Sequence, residues 1–155
     1  MTFDKFTIKA QETVQEAVNL AQRSGQQSIE PVHLLKALMD KARDVTNFIF
    51  QKLGVNTQQI EMLLEQEIKH LPRVQGGQPY LSNDTNQILV NAENISQKMG
   101  DQFVSVEPIL LAILASSSTA GRILKDAGCN DKDMRAAINE LRQGQKGQSQ
   151  SADDN

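Results

Sequence analysis

Apolar residues recur along this chain with a helical period, and the pattern is written twice. In the first half, Ala10, Thr13, Val14, Ala17, Leu20 and Ala21 fall on one face of a helix, with Gln, Glu and Lys opposite. Thr7 is a natural N-cap for that helix, and Gly25 stops it because glycine takes the left-handed C′ conformation at little steric cost. In the second half, Thr85, Ile88, Leu89, Ala92, Ile95 and Ser96 repeat the stripe between Ser82 and Gly100. A second helix is predicted from Pro31 through Leu34, Leu35, Leu38 and Met39, its twin from Ser105 through Ile109, Leu110, Ile113 and Leu114. These most apolar segments are the candidate core. Third helices are predicted over Val45 to Leu53 and Ala120 to Ala127, and fourth helices open at Asn56 and Asn130, each an asparagine with a polar residue three positions on.

The two halves align at a constant offset of 75 positions (92 − 17), which lays Ala17 to Gly25 over Ala92 to Gly100 and pairs Ile29 with Val104 and Leu35 with Leu110. After a one-residue deletion, Ile49, Gly54 and Asn56 meet Ile123, Gly128 and Asn130. Glycines, apolar positions and caps coincide together, so the chain reads as an all-α, duplicated four-helix unit with eight helices related by a pseudo-twofold. Repeat one spans 1–73, a helix-breaking linker of glycines and proline spans 74–81, and repeat two spans 82–142. Residues 143–155 carry no apolar periodicity and read as a solvated linker toward further domains.

Composition changes this picture little but removes function classes. A length of 155 residues fits one domain with a useful core. The net charge of −3, with no cluster of Lys and Arg longer than a pair, argues against a nucleic-acid binder, which needs clustered cations to displace counterions. No apolar run long enough for a membrane span and no signal-like N-terminus is present, so the expectation is a cytoplasmic domain that binds no membrane. The single cysteine, Cys129, fits a reducing compartment.

The chain offers no catalytic residues by pattern. Its two histidines, His33 and His70, stand 37 positions apart (70 − 33) without Cys, Asp or Glu at ligand spacing, so no metal site is expected. Phosphate-binding, nucleophile-elbow and dinucleotide fingerprints are missing from the sequence. His33 reads as a capping or packing residue near a helix start, and Cys129, whose repeat partner is Val55, as a small apolar packing residue. Thr7, Asp101 and Glu107 each satisfy a helix-terminus rule: a hydroxyl N-cap, a loop carboxylate after Gly100 and a first-turn carboxylate worth about 0.5–1 kcal/mol. Around them Phe103, Val104, Val106 and Pro108 make an apolar loop and helix entry, and Phe103 has Ser28 as its partner, so the copies differ here. An apolar groove rimmed by carboxylates and floored by Leu89 and Ile95 is the expected binding surface for extended apolar peptide segments.

Four segments carry a resemblance to a known family: Phe3-Asp-Lys-Phe-Thr7, Ile29-Glu-Pro-Val-His-Leu-Leu35, Leu71-Pro-Arg-Val74 and Gly100-Asp-Gln-Phe-Val-Ser-Val-Glu107. Together they resemble the N-terminal domain of the ClpB disaggregases, AAA+ proteins of the Clp/Hsp family. The resemblance implies an eight-helix pseudo-twofold bundle tethered to two ATPase rings, engaging unfolded or aggregated protein before threading. It implies substrate roles for Thr7, Asp101 and Glu107, with Pro108 standing where the family usually has leucine. It implies a monomeric isolated domain without a cofactor, in a homohexameric parent that binds ATP. The alternative within the same fold is an adaptor-docking domain of a ClpA/ClpC-type protease unfoldase.

Overall fold

Both repeats open in the same way. The Thr7 hydroxyl accepts the Ala10 N–H at 3.1 Å and caps α1 (Ile8–Arg23); the Ser82 hydroxyl accepts the Thr85 N–H at 3.1 Å and caps α5 (Asn83–Lys98). The computed structural model describes residues 2–143 and 152–154. Residues 144–151 and 155 of the expected tail lie outside the described residues, whereas Ala152–Asp154 form a 3₁₀ turn.

Each first helix is followed by three more: α2 (Pro31–Lys41), α3 (Arg43–Leu53) and α4 (Thr57–His70) in repeat one, α6 (Val106–Ala115), α7 (Thr119–Asp126) and α8 (Asp131–Arg142) in repeat two. The predicted asparagine caps are in place, with Asn56 accepting from the Gln59 N–H at 3.1 Å and Asn130 from the Asp133 N–H at 2.9 Å. At the start of α2, Pro31 has no N–H to satisfy, and His33 Nδ1 accepts the Glu30 N–H at 2.9 Å.

Helix pairing obeys the duplication. α1 lies on α2 as α5 lies on α6, α2 meets α4 as α6 meets α8, and α2 touches α6 across the repeat boundary. α3 packs against α8 and α4 against α7, so each repeat is completed by the other. The core follows from sequence: α6 is buried continuously from Val106 to Leu114, and Ala17, Ala92, Leu35 and Leu110 are all fully buried. Closeness is enforced at Gly121, where a Cβ would fall 2.6 Å from the carbonyl oxygens of both Ile113 and Ser116.

One feature departs from the sequence pattern. Two very short strands, β1 (Ser28–Ile29) and β2 (Tyr80–Leu81), pair in parallel, and Phe6 forms an isolated parallel bridge with Val104. The 75-residue offset maps Phe6 onto Leu81 and Val104 onto Ile29, so the bridge is the symmetry mate of the strand pair. Segments this short bury too few alternating positions to show a period of two.

Candidate functional site

The cross-repeat bridge decides where the candidate residues meet. Thr7 N–H donates to the Val104 carbonyl at 2.9 Å and Val104 N–H to the Lys5 carbonyl at 2.7 Å. The start of α1 from repeat one is thereby held against the loop and start of α6 from repeat two. Thr7, Asp101, Ser105 and Glu107 all lie at this junction and all are buried.

Arg142, at the last turn of α8, organises the acidic residues. Its Nη1 lies 3.0 Å from both Asp101 carboxylate oxygens, its Nε donates to Glu107 Oε2 at 3.2 Å, and its Nη2 donates to Ser105 Oγ at 2.7 Å. Side-chain exposure is 10% for Arg142, 0% for Asp101 and 5% for Glu107. Burial works against the Arg142 charge, but Glu107 and Asp101 outweigh it and hold the guanidinium above its ordinary pKa. The two carboxylates are therefore partners in a buried ion cluster, which replaces the expected picture of charges on a groove rim. Ser105, the N-cap of α6, has turned its hydroxyl to this arginine and makes no side-chain cap bond.

The cap position is filled from a distance. Asp153 Oδ2 accepts the Val106 N–H at 3.1 Å and the Thr7 Oγ1–H at 2.9 Å. Glu107 Oε1 and Asp153 Oδ1 are buried with no hydrogen-bond partner. Burial raises the Asp153 pKa; the bonds from Thr7 and Val106 oppose this, and the Glu107 charge adds to it.

The apolar residues divide. Phe103 is half-buried, whereas Val104, Pro108, Leu89 and Ile95 are buried, the last two as core packing of α5 on α6. Leu89 and Ile95 therefore present no open surface, because the stripe that names them is the face α6 covers. A cleft of about 460 Å³ beside the junction is lined by Phe3, Val14, Val18 and Leu81 with Gln11, Glu12 and Gln15. Phe3 stacks edge-on against Phe6 at 5.0 Å between ring centroids, which fixes the cleft beside the Thr7 junction. Val18 could have been found in the sequence, since it lies off the buried stripe of its helix. Arg142 carried a signal too: the repeat register puts it over the apolar Ile68 (142 − 74), a position facing inward.

No group of three or more His, Cys, Asp or Glu among the described residues could hold a metal ion. His33 is buried with both nitrogens engaged, Nδ1 by the Glu30 N–H and Nε2 by the Gln26 side-chain Oε1 at 2.6 Å, so the neutral Nε2–H tautomer fits. Burial lowers its pKa to about 4, against the opposing pull of Glu30.

Comparison with known families adds to this geometry. The sequence profile of the Clp repeat N-terminal domain matches residues 5–127. The chain belongs to that family. It is 56% identical over 155 residues to the chaperone protein ClpB of Bacteroides thetaiotaomicron, covering 100% of this chain and 18% of that protein. With ClpB of Porphyromonas gingivalis it shares 47% identity over 154 residues, 99% of this chain and again 18% of the relative. The Clp repeat domain thus spans about a fifth of the length of the relatives it matches. Its fold is that of the Hsp104 N-terminal domain from Candida albicans, with a TM-score of 0.82 at 24% identity over 97% of this chain and 99% of that one. The N-terminal domain of the Escherichia coli ClpV1 ATPase shares the fold as well, with a TM-score of 0.79 at 15% identity over 95% and 91% of the two chains. The match thus shows a Clp repeat N-terminal domain similar in sequence to part of the ClpB chaperone proteins.

Proposed function

We propose that this domain captures unfolded or aggregated polypeptide for a disaggregase, by weak contacts, and is not itself an enzyme. The observation that carries the reading is the apolar cleft of Phe3, Val14, Val18 and Leu81 beside the Thr7 junction, an open surface suited to an extended apolar segment. Phe103, half-buried, extends the surface across the repeat boundary, next to the junction in which Thr7, Asp101 and Glu107 are buried. Asp101 and Glu107 act by holding that junction in shape through Arg142. Hydrolysis of ATP belongs to the rest of a longer, hexameric parent, as in AAA+ chaperones.

A shallow cleft on a small domain gives micromolar to millimolar affinity, about −8 to −4 kcal/mol. Weakness suits capture, because a bound segment must be passed on, and several tethered domains on one ring raise effective concentration without any additional interaction. Titration of the 1–155 chain with a permanently unfolded, reduced and alkylated model protein tests the reading by NMR. Saturable shifts on Phe3, Val18, Leu81 and Phe103, abolished by Val18→Asp, are expected. Absence of saturation at millimolar concentration, or tighter binding to a folded adaptor on another face, overturns it in favour of an adaptor-docking domain.

A further inference from the structure

The Thr7 junction already contains a ligand, and it is part of the same chain. Asp153 is 146 residues from Thr7 and 47 from Val106, yet one of its carboxylate oxygens takes both donors. The donor pair exists in one repeat only. At the mate of Thr7, the Ser82 hydroxyl is spent on Thr85 Oγ1 at 3.0 Å, and the mate of Val106 is Pro31, which has no N–H. Thr7 escapes that fate because position 10, the mate of Thr85, is an alanine. Ser105 would otherwise cap α6, but Arg142 holds its hydroxyl. Divergence between the copies has left two aligned donors free to take a carboxylate.

We propose that this cradle is a recognition site for an acidic side chain of an extended polypeptide, and that Asp153 is its resident occupant, competing with client segments that carry a carboxylate. The inference rests on the capture function proposed above and names the chemistry of the junction beside its cleft. The occupant is held through one carboxylate oxygen. Asp153 Oδ1 finds no partner, Glu107 Oε1 beside it is likewise unpartnered, and the two carboxylates repel across the same buried space while Arg142 is engaged by Asp101 and Glu107. A tether keeps the local concentration of Asp153 high, so even weak docking lowers the apparent affinity for an outside carboxylate by the fraction of sites left free.

The test uses the 1–155 chain and its Asp153→Ala variant, with Asp126→Ala as a control for net charge. Removal of the Asp153 carboxylate is expected to shift the Val106 and Thr7 amides in D153A and not in D126A. A capped peptide of residues 149–155 added to D153A is expected to restore those resonances, and the same peptide with Asn in place of both aspartates to bind at least about fivefold more weakly, the scale of a lost charge-assisted bond. Affinity for the unfolded model protein is expected to rise about three- to tenfold in D153A, as unmasking a mostly occupied site requires. Unmoved Val106 and Thr7 amides overturn the docking. Moved amides with unchanged affinity for the unfolded protein overturn the competition. If that protein leaves the cleft and junction unperturbed in both forms while the peptide still binds D153A, the capture function fails and the carboxylate site stands.

Discussion

Replacing Arg142 with methionine should destabilise this domain by about 3–5 kcal/mol, the cost typical of breaking a buried ion pair from one side. The perturbation keeps an unbranched apolar stem and removes the guanidinium with its charge. It leaves Asp101 and Glu107, whose side chains are 0% and 5% exposed, buried without the guanidinium that both of them pair with. The hydrogen bonds that Arg142 makes, two to Asp101 and one each to Glu107 and Ser105, would sum to more than this at about 1.5–3 kcal/mol per charged hydrogen bond. That sum overshoots, because the arginine also sheds its own desolvation cost on mutation and water reaches the vacated space. Urea unfolding at constant m-value reads the loss directly, and a thermal melt should fall by roughly 6–20 °C for a domain of this size. Combining Arg142→Met with Asp101→Asn and Glu107→Gln should recover most of it, since neutral groups of the same shape leave no uncompensated charge. A loss below about 1 kcal/mol would return the carboxylates to ordinary cap and dipole roles. A triple variant no better than the single one would show that packing, not charge, explains the effect.

Other consequences follow from single environments. His33 has a folded pKa of about 4 against an ordinary 6.5, so the unfolded chain binds more protons between these values; stability should fall as pH drops from about 6.5 to 4, by up to about 3 kcal/mol, and level off below. Denaturant melts across that range check it, and His33→Gln should flatten the slope. Burial raises the Cys129 thiol pKa to about 11, so thiol reagents at neutral pH should modify it only on unfolding, with protection lost in denaturant. Gly121→Ala should cost about 1–3 kcal/mol in a urea melt, because the added methyl meets two backbone carbonyls that cannot swing away.

Much of the fold was legible because helices announce themselves locally. The period of apolar residues, the hydroxyl and asparagine caps and the repeated glycine stops each lie within one helix, and Thr7, Ser82, Asn56 and Asn130 all cap as their positions required. The site was less legible because it is made by long-range partners. Thr7, Asp101, Ser105 and Glu107 share one junction, but the residues that define their chemistry, Arg142 and Asp153, enter from the far end of the chain. Leu89 and Ile95 fail as groove residues for a related reason: periodicity identifies an apolar face without saying whether a neighbouring helix or a ligand covers it.

The duplication also explains how one scaffold carries a polar site in only one of its copies. In repeat one, Gln26 reaches the Ile68 carbonyl and His33, tying the loop before α2 to the end of α4 with neutral groups. The register converts Gln26 to Asp101, Ile68 to Arg142 and His33 to Pro108, so in repeat two the same loop is tied to the end of α8 by charge. A neutral strut needs no further partner, and Gln26 and His33 leave the cap of α2 complete. The charged strut draws in Ser105 as well, and that leaves the Val106 N–H without a local acceptor at a helix N-terminus, where an anion is favoured. The orphaned donor and the carboxylate that finds it are therefore one consequence of replacing an amide–imidazole strut with a buried arginine. Repeat one keeps the neutral form of the junction, and repeat two carries the charged form in which Asp153 accepts the Val106 N–H.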